Sequence, residues 1–187
     1  PVDIQATINA GAGDVTIFGG GNAYHRVGVR IGSLAAGVAE VLGDSITINS
    51  LSCSSATSVV AGIYLDGSAV GGGATIGGGG QAGAITLISD TMGATVNNAG
   101  VETSGTVTVL AHSASGTFEL GGTDGTAGIG GAKGVQQNFA DALSSSGGTT
   151  LSYGDYTHDL LISGSVGAGN TALVLLGDNV EIAATGS

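Results

Sequence analysis

Apolar side chains recur two residues apart in short stretches of this chain, with polar residues between them. Val15 and Ile17 stand in GDVTIFGG, Ile46 and Ile48 in GDSITINS, and Ile85 and Leu87 in GAITLISD. Val107 and Val109 follow in GTVTVLAH, Phe118 and Leu120 in GTFELGG, and Val180 and Ile182 in GDNVEIAA. A period of two puts these side chains on one face of an extended strand and the intervening Thr or Glu on the other. Each phrase therefore predicts a half-buried strand opened by a glycine turn. Weaker copies are VDIQATI at Val2, VGVRIGS at Val27, AGIYLDG at Ala61, DLLISGS at Asp159 and TALVLLG at Thr171.

Strands bounded by turn residues every 10–20 residues or so fit an antiparallel sandwich or a parallel solenoid. Tight hairpins need dipeptides such as Asn-Gly or Asp-Gly. Asn-Gly does not occur here, and Asp-Gly occurs only at Asp66-Gly67 and Asp124-Gly125. The phrase also repeats with one polarity, as stacked coils require. The expected fold is therefore an all-β parallel β-helix, with residues 1–187 forming a single solenoid domain or a fragment of a longer array. A coil of roughly 20 residues gives about nine coils and a tube of about 40 Å at the spacing of stacked strands. Gly71–Gly73 and Gly77–Gly80 are expected at corners, with Thr75-Ile76 as a short strand between them. Residues 121–150 break the pattern as an irregular insertion. Within it a short helix is expected near residues 134–144, because Val135, Phe139 and Leu143 fall at helical spacing.

Composition sharpens this picture. The chain has 38 glycines but one proline, and hydrophobic residues make up 42% against 9% charged. Disordered chains combine low hydrophobicity with high charge, and collagen needs a strict glycine period with abundant proline, so both are excluded. Small and β-branched apolar side chains suit a narrow interior built from strands. The net charge is −11, and the basic residues are Arg26, Arg30 and Lys133. Three cations cannot assemble a nucleic-acid face, and an anionic membrane surface is disfavoured for the same reason. No run of apolar residues is long enough for a spanning helix. Cys53 is the single cysteine, so no disulfide forms within the chain. The chain opens at Pro1, as a processed product or an excised fragment would.

The densest polar stretch is YGDYTHD. Read as extended, it puts Tyr153, Asp155, Thr157 and Asp159 on one face, with Tyr156 and His158 on the other. Tyr153, Asp155, Tyr156, His158 and Asp159 are thus the candidate contacts for a carbohydrate or an ion, because paired carboxylates beside aromatics serve sugar chemistry. The ordinary alternative is a solvated strand face. Asp14, Asp44 and Asp178 precede strands, where aspartate starts turns through its own backbone. Tandem calcium nonapeptides are absent, so no metal or cofactor is expected. Arg26 and Arg30, beside Tyr24 and His25, read as surface ion-pair partners. GIGGAKG lacks the Lys-Ser/Thr ending of a phosphate loop.

GAITLISD, GVETSGTVTVLAHSASGTFELGG and GDNVEIAATGS resemble the repetitive shaft of filamentous-haemagglutinin-type and autotransporter adhesins. The resemblance implies a right-handed parallel β-solenoid exported by Gram-negative bacteria to the cell surface. It implies adhesion or a structural filament, with no catalytic residues in the shaft. The partners expected are identical subunits joined end to end, covalent neighbours in a longer chain, and a carbohydrate or host-surface ligand. A carbohydrate-active β-helix enzyme and an S-layer-like lattice protein are the alternatives.

Overall fold

The computed structural model describes residues 1–20, 27–32, 37–51, 61–67, 72–78, 83–95, 98–114, 116–122, 133–144, 150–166 and 172–183. Four coils of three strands each come first. They are β1 (Val2–Ile4), β2 (Ile8–Asn9) and β3 (Val15–Gly20), then β4 (Val27–Gly32), β5 (Gly37–Leu42) and β6 (Ile46–Leu51). The third coil holds β7 (Ala61–Asp66), β8 (Gly72–Gly77) and β9 (Ile85–Ile88), and the fourth β10 (Thr91–Ala94), β11 (Ala99–Glu102) and β12 (Thr106–Leu110). The remaining elements are β13 (Gly116–Gly122), β14 (Lys133–Gln136), α1 (Gln137–Ser144), β15 (Thr150–Gly154), β16 (His158–Ile162), β17 (Ala172–Leu176) and β18 (Val180–Ile182).

The strands stack into three parallel sheets. Sheet A runs β1-β4-β7-β10-β14-β13-β16-β18, sheet B runs β11-β8-β5-β2 and sheet C runs β17-β15-β12-β9-β6-β3. The fold is a parallel β-solenoid. Successive sheet A strands begin at Val2, Val27, Ala61 and Thr91, so the first coils are 25, 34 and 30 residues long. This exceeds the expected 20, because each coil carries three strands and the recurrent phrase marks mainly one of them, that on sheet C. Eight rungs span about 34 Å.

The alternation read from sequence becomes ladders. In sheet A, Val2, Val29, Ile63, Met92, Val135, Leu120, Ile162 and Ile182 stand in register through all eight strands. In sheet C, Val15, Ile46, Ile85, Val107, Leu151 and Leu173 form one ladder, and Ile17, Ile48, Leu87, Val109, Tyr153 and Leu175 form the next. Most of these side chains are fully buried, each worth roughly 1.5–3 kcal/mol of apolar burial. The outward column of sheet C is hydroxylated, with Thr16, Thr47, Thr86, Thr108 and Ser152 in register, a cross-strand pairing that strands favour.

Two expectations change in detail. Gly72 and Gly73 lie within β8 rather than at a corner, and Gly77 ends that strand with φ 78°; Gly71, Gly79 and Gly80 lie outside the described residues. The helix occupies Gln137–Ser144, while Lys133–Gln136 is a strand. Sheet A takes those four residues because Val135 completes the rung between Met92 and Leu120. Phe139, Ala140, Ala142 and Leu143 then form the buried face of α1. The helix packs on β10, β11 and β13, and β11 is one of the two edge strands of sheet B among the described residues. Gln137 anchors its start, donating to the Ser165 carbonyl at 2.8 Å and accepting from the Ser165 amide at 3.0 Å.

β14 follows β13 in the chain yet lies between β10 and β13 in sheet A. The slot beside β10 is thus filled by a later segment than the one that first passes it.

Candidate functional site

The YGDYTHD stretch is not one extended strand. Tyr153 and Gly154 end β15 on sheet C, and His158 begins β16 on sheet A. Residues 155–157 turn the corner between them. The expectation that Tyr153, Asp155, Thr157 and Asp159 share a face is therefore corrected. Tyr153 holds an inward ladder position on β15, fully buried, and the corner beyond it turns His158 inward as well, only 2% exposed. Tyr156 is exposed at the apex of the turn. Asp159 is exposed and accepts from Asn179 Nδ2 at 2.8 Å.

Asp155 organises the corner. Its Oδ1 accepts from the Thr157 amide at 2.8 Å and from the Thr157 hydroxyl at 2.6 Å, and it lies 2.9 Å from His158 Nδ1. A carboxylate only accepts, so Nδ1 carries a proton directed at Asp155. That Nε2 is buried and has no hydrogen-bond partner among the described residues, as is the Tyr153 hydroxyl. Burial, helped by the charge of Asp141, pushes the Tyr153 phenol well above its usual range. An aspartate-oriented histidine is the geometry of a general base, but this Nε2 is buried in the tube, away from solution. Chemically the trio locks a corner.

Partial burial would raise the Asp155 carboxyl, but the bonds from His158 and Thr157 outweigh it and hold the group down at about 2. An unfolded aspartate titrates near 3.9, so the folded state releases this proton more readily. The stabilisation is present above about pH 4 and is lost as pH falls through about 2. Asp155→Asn should therefore be less stable than the parent at neutral pH, with the gap closing between about pH 4 and pH 2. Urea denaturation across that range checks it. A gap that persists unchanged at the acid end would show that the carboxylate charge is irrelevant to the corner.

Other singled-out residues have structural partners. Arg30 donates from Nε to Asp66 Oδ2 at 3.1 Å and from Nη2 to the same oxygen, with Asp3 at 3.8 Å. Asp14 accepts from the Ser45 hydroxyl of the next coil at 2.7 Å, a cross-coil bond between side chains. Among the described residues no group of three or more His, Cys, Asp and Glu is placed to hold a metal. Tyr24, His25, Arg26 and Cys53 lie outside the described residues, as does most of GIGGAKG.

A second feature was not read from the sequence. The outer face of sheet B carries a groove of about 460 Å³ across β5, β8 and β11, lined by Val38, Gly72, Gly73, Thr75, Asn98, Ala99, Gly100 and Glu102. Val38 stands beside Gly73, and Thr75 beside Gly100. Asn98, with φ 55°, is the one residue other than glycine at positive φ among the described residues, a conformation that asparagine tolerates better than most. Its carbonyl accepts from the Ala74 amide at 2.8 Å. The one sequence signal was a pair of glycines inside a strand, which marks close approach of a ligand or another backbone.

Comparison with known protein families, curated proteins and solved structures finds no match for this chain. The reading of function therefore rests on the residues themselves.

Proposed function

We propose that this chain is a structural or adhesive shaft element of the extracellular cell surface, extending by axial stacking. The observation that carries the reading is the state of the outermost rung. Ile182, Val180 and Leu173 occupy ladder positions but are 74%, 48% and 41% exposed, whereas Ile162, Leu160 and Leu151 one rung inward are 7%, 1% and 0% exposed. Among the described residues β17 and β18 are also edge strands, and an edge strand is a template for pairing with another chain. Another parallel coil is the surface that fits such a rung, supplied by a second copy of this chain or by a covalent neighbour in a longer one. The adhesin-like phrases support the surface location.

Eleven net negative charges oppose that stacking, so assembly should strengthen with salt as well as with concentration. Sedimentation and electron microscopy should show filaments that lengthen with both, and Ile182→Lys should return the protein to monomers. Monodisperse wild-type particles at high concentration and high salt would falsify the proposal.

A further inference from the structure

The groove on sheet B has no part in stacking, and its chemistry is specific. Its floor is glycine backbone at Gly73 and Gly100, its apolar wall is the half-exposed Val38, and Thr75, Asn98 and Glu102 give it a polar rim. Packing does not demand glycine at position 73. A Cβ built there meets its nearest atoms, the Asn98 carbonyl oxygen and Val38 Cγ1, at 3.4 Å, an ordinary contact. The missing side chain therefore serves the outer surface, where it keeps a trough open.

We propose that this groove binds a neutral oligosaccharide about two sugar units long. Three strands at the sheet spacing span about 10 Å along the groove, the length of a disaccharide. A pyranose ring offers an apolar C–H face and a hydroxyl rim, matching a glycine and valine floor flanked by a hydroxyl, an amide and a carboxylate. Glu102 accepts from sugar hydroxyls, and the Asn98 amide both donates and accepts. No cation lines the groove among the described residues and the chain is strongly acidic, so anionic glycans are disfavoured. This site goes beyond the shaft reading and stands or falls separately from it.

The test is titration of ¹⁵N-labelled protein, under conditions that keep it monomeric, with cellotetraose, chitotetraose and mannotetraose up to about 10 mM. A sulfated tetrasaccharide and trilysine are run alongside. One or more neutral sugars should shift the Gly73 and Gly100 amides and leave sheet C unmoved. Glu102→Gln and Asn98→Gly, the latter retaining the positive φ, should each weaken binding by about tenfold or more. Gly73→Leu should abolish it by filling the trough. No shift with any neutral sugar overturns the proposal, as do shifts confined to trilysine or the sulfated sugar, or binding that survives Asn98→Gly and Glu102→Gln.

Discussion

Gly77→Ala should destabilise the protein by about 2–4 kcal/mol, whereas Gly73→Ala, four residues earlier in the same strand, should be nearly silent. Gly77 sits at φ 78°, and a Cβ added there falls 1.9 Å from the Glu102 carbonyl oxygen on the neighbouring strand. The positive φ alone costs an ordinary residue about 1–2 kcal/mol. Relieving the overlap costs about 1–3 kcal/mol more, offset in part by the roughly 0.4–1 kcal/mol that alanine returns through the unfolded chain. The threatened carbonyl also accepts the Gly78 amide at 3.0 Å, so moving it loosens the corner that sends the chain from sheet B toward sheet C. Thermal unfolding should show a fall of about 5–15 °C for Gly77→Ala. Equal losses in the two variants would mean that entropy, and not the geometry of this corner, sets the requirement for glycine.

Phe139→Ala should cost about 3–5 kcal/mol, the usual penalty for emptying a buried aromatic site. Phe139 is fully buried on α1, together with Ala140 and Leu143, and the helix packs on β10, β11 and β13. With the anchor gone, β11, an edge strand of sheet B, loses the element that lies against it. Exposed strand edges invite association, so the variant should lose amide protection in β11 first and aggregate on mild heating. Hydrogen exchange resolves the order of opening. Unaltered β11 protection in a folded Phe139→Ala protein would show that the helix is a passenger.

What the sequence disclosed and what it concealed follow from which physical signal each element carries. Val15/Ile17, Ile46/Ile48, Ile85/Leu87 and Val107/Val109 each alternate cleanly, and all lie in sheet C ladders. Sheet B was hidden because its inward residues include Ala39 and Ala74 and its outward ones include Gly73 and Gly100; alternating alanine with glycine leaves almost no contrast in polarity. That is why the coil length was underestimated and why Gly72 and Gly73 read as a corner. Val135 fitted a helix by spacing and a strand by branching, and the open rung beside Met92 decided it. The candidate cluster misled for a related reason. Alternation stops at Asp155–Thr157, where the bonds of Asp155 to Thr157 close a turn and reset the parity of the residues beyond. The groove depends on the φ of Asn98 and on the pairing of residues 35 apart (Val38 with Gly73) and 25 apart (Thr75 with Gly100), neither of which local pattern reports.

The transposed order of β13 and β14 bears on how the molecule is made. A solenoid can zip up from a nucleus one turn at a time, and β1 through β12 allow that as the polypeptide emerges. Past β12 such growth must pause. Gly116–Gly122 has been synthesised, yet the strand that belongs against Thr91–Ala94 is still some ten residues away. If the earlier segment docks there first, it must be expelled before Lys133–Gln136 can enter. Refolding should therefore be biphasic, with a fast phase reporting the first four turns and a slow one the insertion, and stopped-flow refolding should resolve the two.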